Sequence, residues 1–179
     1  ADRAHGFVST RATEWAHRIV GGSNLSAAIY GLIVAMAVMG AWYADKTSGA
    51  LETGISVAAT LVVFWIAHGY AHAAASFESG TGSTPSQALI ANARHALGHD
   101  WPIVQSGLLP LAILMAGASD LMDERSSILF ATGAAATVLG GLCYVTARAR
   151  NARPLSALII AAIMTGLGGV VVALEIALG

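Results

Sequence analysis

Five runs of about twenty apolar residues, separated by short polar breaks, constrain this chain more than any motif in it. A helix rises 1.5 Å per residue, so about 20 residues cross the roughly 30 Å hydrocarbon layer of a bilayer. Inside that layer the backbone must satisfy its own hydrogen bonds, so runs of this length read as spanning helices. The expected spans are 25–44, 54–76, 101–119, 128–147 and 155–178, with polar breaks at 45–53, 77–100, 120–127 and 148–154. Composition agrees. Of 179 residues, 56% are hydrophobic and 11% charged, and the mean hydropathy is +0.68. A soluble domain carries about 25% charged residues. The expected fold is therefore all-α: one integral membrane helical bundle over residues 1–179, with five transmembrane helices and two short amphipathic interfacial helices. The runner-up is four spans plus a re-entrant or tilted segment at the third, where Pro102 and Pro110 bracket the helix.

The interfacial helices are expected at 9–20 and 84–99. The first mixes Arg11, Glu14, His17 and Arg18 with Trp15 and Ile19, as a helix lying on a membrane does. The second opens on Thr84 and Pro85, an N-cap followed by proline at N1, and places Leu89, Ala93 and Leu97 on one stripe. The segment 79–83, SGTGS, reads as a turn. Residues 1–23 lack the apolar core of a secretory signal, so the first span is expected to direct insertion.

Charge excludes some functions and orients the bundle. A net charge of −1, with nine scattered Lys and Arg, supplies no basic surface for nucleic acid. With the N-terminus in the cytoplasm, the inner segments hold Arg3, Arg11, Arg18, Arg94, Arg148, Arg150 and Arg153, and the outer ones hold Lys46 and Arg125. The excess of basic residues on the inner side predicts a multi-pass cell-membrane protein with a cytoplasmic N-terminus and an external C-terminus. The single cysteine, Cys143, sits in an apolar run and is expected to be a small packing residue.

Against this apolar background, four of six histidines fall in two pairs, His68-Gly-Tyr-Ala-His72 and His95-Ala-Leu-Gly-His99. Spacing of i, i+4 puts both rings of a pair on one helical face, where they can share a metal ion or a proton route. Counting from Gly54, His68 lies roughly 21 Å and His72 roughly 27 Å into the second span, near the cytoplasmic boundary. His95, His99 and Asp100 fall at the same boundary. Together these five residues form the expected site, with Glu14, His17, Tyr70 and Glu78 at similar depth as auxiliaries. Nitrogen and oxygen donors of this kind suit Zn, Fe, Cu, Ni or Mn. Haem held between histidines of different helices is the weaker alternative. Set against this, a membrane histidine is commonly a packing or interfacial residue. No glutamate stands between the paired histidines, as it does in the HExxH metalloproteases. Nor do the pairs match the HxxHH boxes of membrane desaturases or the HxxxD pairs of cation-diffusion transporters, and no catalytic residue is assigned.

Transport of a small ion, proton or metal, through a channel-like path is the expected function. The rivals are a membrane metalloenzyme built on the same cluster and a non-catalytic, structural or haem-binding subunit. Expected partners are the lipid bilayer and the ion. Because five helices enclose little internal path, transport calls for a homo-oligomer or a narrow proton-type conduit, and small residues at four-residue steps, Gly133, Thr137 and Gly141, then Ala162, Gly166 and Val170 beside Gly168 and Gly169, suit close packing either between copies in a homo-oligomer or within one bundle. Two acidic features, Glu175 in the last span and the loop residues Asp120, Asp123 and Glu124, are expected at the outer boundary.

Overall fold

In the computed structural model the chain is described over residues 24–45, 47, 49–75, 94 and 97–178. Among the described residues six helices of five residues or more follow one another: α1 (Asn24–Ala44), α2 (Ala50–Ala75), α3 (Pro102–Ser106), α4 (Leu108–Ala118), α5 (Glu124–Ala149) and α6 (Pro154–Leu178). No strand occurs among the described residues. Four helices are long and apolar enough to cross a membrane, and Leu97–Ser106, which includes α3, makes with α4 a fifth crossing if the bent pair counts as one span. The expected interfacial helix at 9–20 lies outside the described residues, as does most of that at 84–99.

Close approaches fix the direction of each helix. Gly31 of α1 faces Ile103 and Ser106, whereas Gly40, further along, abuts Val172 near the end of α6. Gly117 at the end of α4 meets Ala50 and Ser127, which begin α2 and α5. Successive crossings therefore run in opposite directions. One end of the bundle gathers the start of α1, the end of α2, the residues before α3, the end of α5 and the start of α6. The other end carries Asp45, Glu52, Asp120, Asp123 and Glu124.

The core is built around α1, which touches α2, α3, α5 and α6. Its Leu32, Met36 and Met39 are fully buried, together with Leu61, Ile103, Leu114, Ile128 and Leu139 from its neighbours. Lipid tails are as apolar as these side chains, so close van der Waals fit, more than expulsion of water, holds such helices together. Helix α6 is the outermost, with Ala157, Ala161 and Gly168 its only buried residues.

The bend between Leu97–Ser106, which includes α3, and α4 is 42° and has an identifiable cause. Pro110 has no N–H to give to the Ser106 carbonyl one turn earlier, so the regular ladder is interrupted there. Gly107 instead donates to the Val104 carbonyl at 3.1 Å, and its own carbonyl accepts from Leu111 at 2.9 Å. The bare face of Gly107 receives the Leu61 side chain of α2.

Of the small residues at four-residue steps, Gly168 packs inward against Met36 and Leu139. Gly133, Thr137, Gly141, Ala162, Gly166 and Val170 face outward. The contact surface of α5 is Ala131, Ala135, Leu139 and Cys143, two residues out of step with the glycine stripe. Cys143 is buried as a free thiol, in the packing role its neighbours imply.

Candidate metal centre

Helix α2 carries the first two groups of the site. The apolar course from Val57 to Ile66 runs directly into His68 and His72, one turn apart. Their ring centroids are 4.8 Å apart. His68 is half-buried, stacked on Phe64 at 6.1 Å and beside Tyr30 of α1 at 6.3 Å, so its ring is held by aromatic neighbours. His72, nearer the helix end, is exposed.

The third group comes from the residues that lead into α3. This segment is fixed against α2 at two places. Trp65 donates its indole N–H to the Leu97 carbonyl at 2.8 Å, and the Leu97 side chain lies over the bare backbone of Gly69, 2.6 Å from where a Cβ would stand. Trp65 also meets Trp101 edge to face at 5.3 Å. Trp65, placed by the helical face of α2 above His68, thus serves the neighbouring segment, and Phe64 takes the place against His68. Asp100 is thereby carried inward and is 2% exposed.

The N-cap position of α3 belongs to Trp101, directly before Pro102, so Asp100 stands one residue outside it. Here no side chain caps α3. One oxygen of Asp100, Oδ1, lies 3.1 Å from His99 Nδ1. The other, Oδ2, is the single buried side-chain oxygen or nitrogen among the described residues that lacks a hydrogen-bond partner. The contrast with the other buried polar residues is direct: Thr53 and Ser127 return their hydroxyls to carbonyls of Gly49 and Glu124. A buried carboxylate oxygen without a partner costs several kcal/mol in an apolar setting, so something is expected to meet it.

One donor atom from each of His68, His72 and Asp100 lies within 4.8 Å of the others. Three points 4.8 Å apart surround a common centre at about 2.8 Å, so a contraction of roughly 0.7 Å per ligand reaches the 2.0–2.2 Å typical of zinc bound by imidazole and carboxylate. Side-chain rotation supplies a shift of that size. Two nitrogens and one oxygen would leave coordination positions open on a bound ion.

Of the five expected ligands, the structure brings together His68, His72 and Asp100. His99 touches Asp100 and is not one of the three converging groups. Tyr70, also on α2, is 66% exposed and stands apart from them. His95, Glu14, His17 and Glu78 lie outside the described residues.

At the opposite end a cavity of about 280 Å³ is lined by Trp42, Tyr43, Asp45, Asp123, Glu124 and Arg125, among others. Its charges already serve the fold. Asp123 accepts from the backbone N–H of Ser126 at 2.9 Å and caps α5. Asp45 accepts from both the amide and the hydroxyl of Thr47. Arg125 lies 4.5 Å from the centre of the Tyr43 ring and reaches the Tyr43 carbonyl. No protein-family model, curated protein or solved structure matches the chain.

Proposed function

We propose that this membrane protein carries a small cation across the cell membrane and that His68, His72 and Asp100 form the station at which the ion is held. The observation that carries the reading is the Asp100 carboxylate, buried with one oxygen unpartnered while two imidazoles converge on it. Intramembrane ionisable groups are costly, and they commonly mark an ion pathway. Arg94, Arg148, Arg150 and Arg153 lie at the same end of the bundle, so by the excess of basic residues this end faces the cytoplasm. The acidic opposite end then faces outward, where it favours the approach of cations. The N-terminus is inside and the C-terminus outside. A wider path than one small bundle encloses would come from a homo-oligomer. The outer face of α5 suits such packing, since Gly133 and Gly141 have open space before them.

The same ligand set favours one rival. Two imidazoles, one carboxylate and open coordination positions are also the make-up of catalytic metal sites that activate water. Flux in liposomes separates the two. Uptake of metal cation or proton by the reconstituted protein is expected to fall to about one-tenth or less in His68→Ala/His72→Ala and in Asp100→Asn. Flux undiminished in these variants at every pH and metal concentration overturns transport through this site. Substrate turnover without flux selects the metalloenzyme.

A further inference from the structure

We infer that His99 is not a ligand but the residue that aims one, and that the ion it serves is a divalent first-row transition metal bound by His68, His72 and Asp100 Oδ2. This rests on the cation-binding reading above and specifies it.

Sequence spacing alone offers His99 as the fourth nitrogen, because it follows His95 by four residues and adjoins Asp100. The geometry assigns it elsewhere. Adjacent residues on a helical turn project in different directions, so His99 and Asp100 do not naturally present donors to one point. Among the described residues, the polar contact of His99 is with Asp100 Oδ1, at 3.1 Å. A carboxylate held by one oxygen cannot rotate freely, and its second oxygen is presented in one direction. That second oxygen is buried and unpartnered. Metal-binding carboxylates are commonly held in this way by a hydrogen-bonding neighbour, and the neighbour tunes affinity without touching the ion.

The ion class follows from the donors. Imidazole nitrogen suits Zn²⁺, Fe²⁺, Co²⁺ and Ni²⁺, while Mg²⁺ and Ca²⁺ prefer shells made wholly of oxygen. Copper(I) favours sulfur, and no sulfur belongs to the converging group. One carboxylate and two neutral imidazoles leave a bound divalent ion with a net charge of +1. The ion would also neutralise the buried carboxylate. Because the ligands come from α2 and from the segment before α3, the ion would tie together two parts of the chain that Trp65 and Leu97 already bring into register.

Co²⁺ is the probe, since its visible absorption reports the number and kind of its ligands. The full chain, purified in detergent and stripped by a chelator, is expected to bind one Co²⁺ with a visible band that Zn²⁺ displaces and a large excess of Mg²⁺ or Ca²⁺ does not. The band should vanish in His68→Ala/His72→Ala and in Asp100→Asn. In His99→Ala it should keep its position while affinity falls about 10- to 100-fold. In His99→Gln, whose amide can still donate to Oδ1, most of that affinity should return. Size-exclusion profiles matching wild type identify the folded variants. If Asp100→Asn does not fold, the histidine pair and the two His99 variants decide. Folded wild-type protein that binds no Co²⁺ overturns the metal assignment. Unchanged affinity in His99→Ala overturns the aiming role, and a shifted band there makes His99 a ligand after all. Flux that depends on His68 and His72 without any Co²⁺ binding would leave transport standing and remove only the metal. Co²⁺ binding without flux would do the opposite.

Discussion

Gly31 and Gly133 should answer the same substitution differently, although both are helical glycines in apolar surroundings. A Cβ on Gly31 would stand 2.5 Å from the Ile103 carbonyl oxygen, which belongs to the backbone and cannot swing aside. At Gly133 a Cβ meets open space. Gly31→Ala is expected to lower the thermal stability of the detergent-solubilised protein by about 1–3 kcal/mol, as overpacked cores do. Gly133→Ala should leave it unchanged or slightly raised through helix propensity. Equal thermal midpoints for the two variants would contradict the packing of α1 on α3. The candidate site shows the same limit on reading single residues. His68, His72 and Asp100 were legible in the sequence as polar groups at one depth. What could not be read was that Asp100 would be the buried member and His99 its neighbour, because that depends on which way the turn before Pro102 is rotated.

Helix ends and breaks were set by chemistry visible along the chain, and the start of α5 makes this testable. The backbone N–H of Ser126, with lesser help from its side chain and from Arg125, holds the Asp123 carboxyl below its ordinary value of 3.8. A carboxyl lowered on folding stabilises the folded state above its unfolded pKa, and that contribution is lost as pH falls through the folded value. Asp123→Ala should therefore lower the melting temperature at neutral pH. The gap to wild type should narrow in acid, below about pH 3.8. A gap of the same size at both pH values would show that the carboxylate charge plays no part in the cap. Pro110 likewise announced an interruption, and the bend beside it lies within the third apolar run, where a tilted or re-entrant segment was the alternative expectation. The sequence did not show how sharply the chain would turn. That depends on Leu61 and α1 closing over Gly107 and its neighbours from outside the element.

At the scale of the molecule, the proposed reading counts the bent pair as one span, so that five crossings would put the ends of the described chain on opposite sides, and the charges follow the same division. Single cysteines placed at Ser119→Cys and Asn151→Cys in a Cys143→Ser background report it directly. Intact cells treated with a membrane-impermeant maleimide should label position 119 and leave 151 unlabelled until the membrane is opened. Labelling of 151 alone would invert the bundle. Labelling of both from outside would mean that α5, the one helix between them, does not cross the membrane.

The sequence by itself determined the fold class and the places where the chain can cross a bilayer, because a hydrocarbon layer of fixed thickness tests each segment separately for length and apolarity. Four of the five expected spans reappear as single long helices, and their ends differ by a few residues because helices continue into the polar boundary. Only the tertiary structure decided how those helices are rotated about their own axes. Rotation turned the glycine stripe of α5 outward and made its alanine face the contact. It also set Leu97 on Gly69, and so brought Asp100 to the two histidines of α2. Contacts between residues some thirty positions apart arise from the fit of whole helix surfaces, which no local spacing in the sequence records.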